Sequence, residues 1–506
     1  MRINRREMIK SSSMLSLGYS LPIHWMSPKI SRQNPEAKNI IVLVFDTFSA
    51  LHLSMLGYPR NTDGNIKRFA DRATVYHNHF TAGTFTTSGT ASILTGVHPF
   101  THRALHFYER VIPAHEKRNL FFLFDEYYRL AYTHNHLANV LLKQFADAID
   151  NHKKLGELYF NNSIINNLFS NDEDISYLSW SRIINESNET ANSLFISKLY
   201  SQLYEGAISL KENEFPRGVP RFRGQYFTLE QAIDWIMMQL PDLPQPYMVY
   251  FHLAPPHDPY NTRSYFIDVF KNDGYKAVKK PNHYFEVKDI PEKLDVMRQK
   301  YDEYILYVDA EFGRLYEYME SNNILDDTWL VFTSDHGEMF ERGIFNHKTP
   351  AMFQSLVRVP LMISAPGQMT REDIQNPTSS VDLLPTLLHL SGKPVPAWCE
   401  GQVLPPYASE APDPQRSIYA FDAKRNQRET LAKCSAMLLE WPYKLMMFKG
   451  YPQSPGEDWF YYEMYDIEQD PEELENIYTD SNVVGQHLVE KLLARLKQAD
   501  EPYEEE

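Results

Sequence analysis

In Asn39-Ile-Ile-Val-Leu-Val-Phe-Asp46 the unbroken apolar run from Ile40 to Phe45 stops on a carboxylate. Such a run, too short for a buried helix and rich in β-branched residues, predicts a parallel strand covered on both faces, with Asp46 delivered at its C-terminal end. The same device recurs twice. Residues 246–253 run into Pro255-Pro-His-Asp-Pro-Tyr260, and residues 328–333 run into Ser334-Asp-His-Gly-Glu338. In open α/β sheets ligands collect beyond the carboxyl ends of strands, so three strand ends carrying Asp46, His257, Asp335 and His336 mark where chemistry is expected.

Helical patterns lie between these strands. Thr228 followed by Gln231 predicts a capping box ahead of the apolar positions of 233–240, and 296–318 predicts a long amphipathic helix. Alternating strands and helices predict an α/β fold, a large and mostly parallel mixed sheet flanked by helices. After Pro394 short strand-like segments alternate with Pro and Gly, and 484–497 reads as a helix, which predicts a small C-terminal antiparallel sheet plus helix. The expected organisation is therefore an N-terminal segment 1–38, a catalytic domain 39–394 with a helical insertion at about 146–226, and a subdomain 395–506.

Composition restricts the function. Over 506 residues, Lys and Arg number 50 against 66 Asp and Glu, a formal charge of -16. That balance argues against a nucleic-acid partner, whose phosphates are gripped by clustered cations. It also means that an anionic substrate needs a local positive site, which a divalent cation supplies. Cys399 and Cys434 are the two cysteines, and one disulfide or two buried thiols are both compatible with their number. Paired Arg5 and Arg6 precede a mildly apolar stretch from Ser11 to Ile23, similar to a twin-arginine export signal, so a periplasmic or extracellular location is expected, with the cytoplasm as the alternative. No run is long enough for a transmembrane segment, and the sequence gives no reading of oligomeric state.

Asp335 and His336, adjacent at a strand end, can reach one divalent cation if the chain turns sharply, which Gly337 permits. The alternative, an N-cap aspartate beside a surface histidine, loses ground because Asp46 ends another strand. Thr86-Thr-Ser-Gly-Thr-Ala-Ser-Ile-Leu-Thr-Gly96 places hydroxyls just ahead of a helix start, where backbone N–H groups and the helix dipole favour an anion. Taken alone the stretch is also a Ser/Thr-rich capped turn.

The ordered set Asn39 to Asp46, Leu56-Gly-Tyr-Pro-Arg-Asn61, Ala91-Ser-Ile-Leu-Thr-Gly96, Pro256-His257, Ser334-Asp-His-Gly-Glu338, Val357-Arg-Val-Pro360, Val381-Asp-Leu-Leu-Pro-Thr386 and Tyr465-Asp-Ile-Glu-Gln-Asp-Pro471 resembles the sulfatase family of the alkaline phosphatase superfamily, over roughly residues 39–480. The resemblance implies an alkaline phosphatase-like fold and a single divalent metal ion (Mn, Mg, Ca or Zn) held by Asp46, Thr86, Asp335 and His336. It puts the family's nucleophile on Thr86, with Thr87 as the alternative register, so the formylglycine of true sulfatases cannot form. A threonine there resembles the relatives that make or modify lipoteichoic acid and lipid A. The family's second aspartate falls on Thr47, and the proline and arginine of its Cys-x-Pro-Ser-Arg core fall on Ser88 and Thr90. His257 matches a histidine that binds the transferable group. His134 and His136, in Tyr132-Thr-His-Asn-His-Leu137, match a Lys and a His, and a further cationic contact falls on His347 or Lys348.

These residues lead to the expectation of a metal-dependent hydrolase of phosphate or sulfate esters. Thr86 is the nucleophile, His257 and His136 are catalytic candidates, and His134, His347 and Lys348 are substrate-binding candidates. The substrate is an anionic ester of a glycan, a lipid or a small molecule. A transferase that passes the phospho-substituent to another alcohol is the first alternative, and a non-catalytic binder of anionic glycans the second.

Overall fold

Strand β1 (Asn39–Phe45) lies at the middle of an eight-stranded sheet in the computed structural model of the protein. The structure describes residues 37–159, 209, 211–222, 225–287, 293–411, 413–423, 429–452 and 460–503, and the N-terminal export motif and most of the expected insertion lie outside them. The remaining strands are β2 (Thr74–Tyr76), β3 (Tyr128–Thr133), β4 (Asn151–His152), β5 (Tyr247–Leu253), β6 (Thr328–Thr333), β7 (Leu361–Ser364) and β8 (Glu372–Ile374), in the spatial order β8-β2-β7-β6-β1-β5-β3-β4. Only β7 runs against the others, pairing antiparallel with both β6 and β2. Val44 of β1 stands opposite His252 of β5 and Thr333 of β6, so the C-terminal ends of three parallel strands are level.

The apolar run of β1 is buried on both sides because alternate residues point to opposite faces. Leu43 and Phe45 join Phe251 and Phe332 against helices α3 (Leu229–Gln239) and α4 (Leu294–Ser321). Val42 and Val44 join Tyr250 and Val331 against α1 (Thr86–Thr95), α2 (His136–Gln144) and α5 (Leu383–Leu390). Each such side chain contributes about 1.5–3 kcal/mol on burial. The sheet is therefore a rigid floor whose strand ends can carry polar groups.

Two local expectations are corrected, and one that was left open is decided. Thr228 is the N-cap of α3, yet its side chain makes no capping bond; the Tyr307 hydroxyl takes the Leu229 amide instead. The insertion cannot open at 146, because β4 pairs parallel with β3 as the edge strand of the main sheet. Cys399 and Cys434 are both free thiols, each raised to about 12 by burial.

The C-terminal part is an antiparallel sheet of β9 (Ile418–Asp422), β10 (Cys434–Glu440), β11 (Tyr443–Lys449) and β12 (Phe460–Asp466), with α6 (Val483–Asp500) packed on it. It shares a core with the larger sheet's surroundings, where Ile418, Met437 and Met446 meet Phe80, Phe353 and Leu356. The Phe421 amide donates to the Ala82 carbonyl at 2.9 Å, four residues before Thr86, so this sheet braces the segment leading to α1. A second tie is ionic. Lys444 Nζ lies 2.5 Å from Glu473 Oε1 with both side chains sealed from solvent, and Glu473 Oε2 accepts the Gln354 amide. Lys444→Met leaves Glu473 buried and unpaired and is expected to cost about 3–5 kcal/mol, with partial recovery in the Lys444→Met, Glu473→Gln double variant. Urea denaturation midpoints measure this, and a loss below about 1 kcal/mol rejects the tie.

Candidate active site

The level strand ends bring Asp46 and Asp335 together, and the backbone between them is held in an unusual shape. Thr47 adopts φ 64, the left-handed region that a β-branched residue rarely occupies. Its amide donates to Asp335 Oδ1 at 3.2 Å, its carbonyl accepts from the Tyr301 hydroxyl at 2.5 Å, and the next amide, of Phe48, donates to Ser334 Oγ. Several bonds thus fix one loop. Its conformation turns the Asp46 carboxylate inward, toward Asp335 and His336.

Glycines at two places allow close approach. A Cβ on Gly337 would meet the Ser355 carbonyl at 2.2 Å, and one on Gly89 would meet the Asp335 carbonyl at 2.3 Å. Gly337 is therefore required by contact rather than by a turn of positive φ, which corrects the expectation for it. Gly89 lets the first turn of α1 lie directly on the Asp335 backbone.

Asp335 Oδ1 accepts the amides of Thr47 and His336, and His336 Nδ1 lies 3.0 Å from the Gly337 carbonyl, an acceptor that requires the proton on Nδ1. Left over are Asp46 Oδ1, Asp335 Oδ2 and His336 Nε2, all fully buried and without hydrogen-bond partners. His336 Nε2 is 3.6 Å from Asp46 Oδ1 and 3.7 Å from Asp335 Oδ2. Buried polar atoms are nearly always paired, and three orphans aimed at one another form a site suited to a divalent cation. Burial and the neighbouring Asp46 charge raise the Asp335 carboxyl. Burial also works to raise Asp46, but His257, His252 and His336 outweigh it and bring that carboxyl to about 2.

Thr86 opens α1, and its Oγ1 lies 3.1 Å from Asn135 Nδ2, the same amide that donates to Asp46 Oδ2 at 2.5 Å. Asn135 in turn caps α2 through Oδ1. Thr87 Oγ1 is buried without a hydrogen-bond partner, so of the two registers it is Thr86 that is tied to the carboxylate cluster.

The histidines separate. His257 holds its Nδ1 proton on the Asp258 carbonyl at 2.7 Å, and its ring lies against Phe222 and His347, at 5.1 Å each. The His347 ring lies tilted against His336 at 4.6 Å and His347 bonds Glu338 at 3.0 Å, while Lys348 is exposed, so His347 is the member of that pair facing the cluster. Burial and Asp258 push the Glu338 carboxyl well above its usual range. His136 starts α2 with its ring against Phe222. His134 is not brought in, because its ring is enclosed by Tyr132, Tyr159 and Phe227 on the opposite face of the sheet. Burial lowers both His134 and His136, to about 3.

Asn135, His252 and Glu338 were not singled out from sequence. Asn135 could have been found as an N-cap residue following a strand, and His252 as the one histidine inside an apolar strand. His252 is fully buried, with Nε2 3.6 Å from Asp46 Oδ2 and 3.5 Å from Asp335 Oδ2.

The sequence pattern of the sulfatase family matches residues 38–393, and that of the N-sulphoglucosamine sulphohydrolase C-terminal region matches 340–501. Choline-sulfatase of Rhizobium meliloti is 26% identical over 254 residues, 46% of this chain and 46% of that protein. Arylsulfatase K of Canis lupus familiaris is 23% identical over 296 residues, 53% of this chain and 55% of that protein. The chain thus spans about half the length of these curated relatives. Among solved structures, the phosphonate monoester hydrolase of Agrobacterium radiobacter has the same fold, with a TM-score of 0.67 at 18% identity over 91% of this chain and 96% of that one. A 2-O GAG sulfatase gives 0.61 at 15% identity, over 93% and 98%.

Proposed function

Because the chain belongs to the sulfatase family, we propose that it is a metal-dependent ester hydrolase that takes a phosphoryl group onto Thr86, in preference to a sulfuryl group, and releases it to water. The observation that carries this is the shared Asn135 amide, which joins the Thr86 hydroxyl to the buried Asp46, Asp335 and His336 cluster. Those three residues would hold the ion, which supplies charge neutralisation for the oxygens of the transferred group and for the attacking hydroxyl. Asn135 donates to Thr86 Oγ1, which favours loss of the threonine proton. The N-terminus of α1 adds backbone N–H groups near the same anion. His257, with Nδ1 committed to a carbonyl, presents Nε2 for proton transfer to or from a leaving alcohol. His347, oriented by Glu338, lies beside it and would contact the transferred group's oxygens.

The preference follows from the one hydroxyl of threonine. A formylglycine hydrate carries two, so after one is sulfated the other can expel sulfate by breaking the carbon–oxygen bond. A sulfated Thr86 must instead be cleared by water attacking sulfur, whereas a phosphorylated Thr86 can be cleared by a second in-line displacement at phosphorus. Rates on matched aryl phosphate, aryl phosphonate monoester and aryl sulfate test this: the phosphorus esters are expected to turn over repeatedly and the sulfate to be slow or to stop after one turnover. A faster, multiple-turnover sulfate reaction rejects it.

We further propose export through the Arg5-Arg6 motif. Replacing both arginines by Lys is expected to retain the protein in the cytoplasm, and unchanged cell fractionation of that variant removes the proposal.

A further inference from the structure

We propose that the site is built for phosphorus esters carrying one negative charge, phosphodiesters and phosphonate monoesters, and that it handles the doubly charged phosphate monoester poorly. The inference rests on the ester-hydrolase reading above and narrows its substrate class.

Asp46 and Asp335 bring two negative charges into the buried crevice, and one divalent ion held there with His336 cancels them. Any surplus positive charge for the substrate must come from lysine or arginine. Among the described residues neither supplies it, because the ion pairs of Asp46, Asp335 and Glu338 are all with imidazoles, those of His252, His336 and His347. Histidine has an ordinary pKa of about 6.5, so at pH 8 it offers hydrogen bonds rather than a fixed charge.

None of the three positions where the family's pattern carries an arginine, a lysine or a further cationic contact puts a fixed cation into the crevice. The arginine falls on Thr90, and the lysine on His134, whose ring is enclosed among aromatics on the opposite face of the sheet. The last contact falls on His347 or Lys348, of which the lysine is exposed. What remains is the start of α1, worth about half a positive charge. That leaves about half a charge unbalanced on a singly charged ester and about one and a half on a doubly charged one, and buried, uncompensated charge is costly.

The neighbouring walls are apolar. Phe85, directly before Thr86 in the chain, meets the exposed ring of Phe107 at 5.8 Å, and Phe222 lies against His257 and His136 at 5.1 and 5.4 Å. A neutral ester or carbon substituent on phosphorus suits such surroundings better than a third charged oxygen.

A diester reaction is then expected to halt at its first product. Thr86 Oγ1 bonds phosphorus as the P–O bond to one alcohol breaks, and water then bonds phosphorus as the P–Oγ1 bond breaks. Over both steps one water is consumed: one hydrogen leaves on the alcohol and the other stays on the product's new P–OH. That hydroxyl ionises at about pH 6, so the product of a diester is itself a doubly charged monoester. It accumulates, and a separate monoesterase must consume it.

The test compares an aryl methyl phosphate, an aryl methylphosphonate and an aryl phosphate with the same leaving group, at pH 8 with manganese or zinc supplied. kcat/KM is expected to be at least about 100-fold higher for the two singly charged esters, the size of losing one charge-stabilising contact. A bis-aryl phosphate is expected to release one aryl alcohol per phosphorus in the fast phase and the second at least about 100-fold more slowly. His347→Lys, which puts a fixed cation beside His257 and His336, is expected to narrow the ratio about tenfold. The ratio is taken within one protein, so a general loss of activity cancels. Equal or faster turnover of the monoester overturns the inference while leaving phosphoryl transfer intact, and so does an unchanged ratio in a His347→Lys protein that still cleaves the diester. Turnover of the matched aryl sulfate with none of the phosphorus esters overturns both this inference and the phosphoryl preference.

Discussion

Asp335→Asn is expected to empty the metal site and to lower ester turnover by roughly 10³-fold, equivalent to about 4 kcal/mol of transition-state stabilisation. The carboxylate does two separable things. Its Oδ1 accepts the amides of Thr47 and His336, and an asparagine oxygen can keep both bonds. Its Oδ2 is the orphan that faces Asp46, His336 and His252, and the substitution puts an amide NH₂ there, a donor with no lone pair for a cation. The local backbone should persist while the ligand is lost. A further consequence has the opposite sign. In the metal-free protein two buried carboxylates oppose each other, and Asp46 adds to the burial that raises Asp335, so removing one charge relieves repulsion. Metal-free Asp335→Asn is therefore expected to melt no lower than metal-free wild type, while the gain in melting temperature on adding zinc disappears. Elemental analysis showing full occupancy in the variant would remove Asp335 from the ligand set.

Thr86→Ala is expected to have the largest effect of all, a loss of at least about 10⁴-fold on phosphorus and sulfur esters alike, in line with deletion of a nucleophile elsewhere. Its cost to the fold should be small. The hydrogen bond from Asn135 to Oγ1 is lost, worth about 1 kcal/mol, and Asn135 keeps both Asp46 and its cap on α2. Metal affinity should fall less than in Asp335→Asn, because both carboxylates and His336 remain. Thr87→Ala is the matched control, since its hydroxyl is one residue away and is not bonded to Asn135. If Thr87→Ala abolishes turnover and Thr86→Ala does not, the nucleophile moves by one residue and the role given to Asn135 fails. Recovery of a phosphorylated peptide containing residue 86 after rapid acid quench would be direct support.

What was readable in the sequence, and what was not, divides along a physical line. β1, β5 and β6 are legible because each is a short apolar run buried on both faces, a pattern that the surrounding helices enforce whatever their exact placement. The polar residues that end β1 and β6 are legible for the same reason: Asp46, Asp335 and His336 follow directly on a buried run and have nowhere to go but the strand-end crevice. The small C-terminal sheet is legible from its alternating segments. His134 and His252 show where this reading stops. Each is a single histidine at the end of a neighbouring parallel strand, and their local sequences give no means to rank them. Thr133 pairs with His252, so His134 is one step out of register and its ring goes to the opposite face, among aromatics, while His252 turns beneath α1 toward the two carboxylates. His347 and Lys348 differ in the same way, by one step that buries one ring against His336 and leaves the other side chain in solvent. The chain by itself determined the fold and the residues that strand ends must deliver, because burial periodicity is a property of each segment alone. Which of two adjacent polar residues enters the site was decided only by the tertiary structure, since successive side chains leave the backbone in opposite directions and only the pairing of neighbouring elements sets which direction is inward.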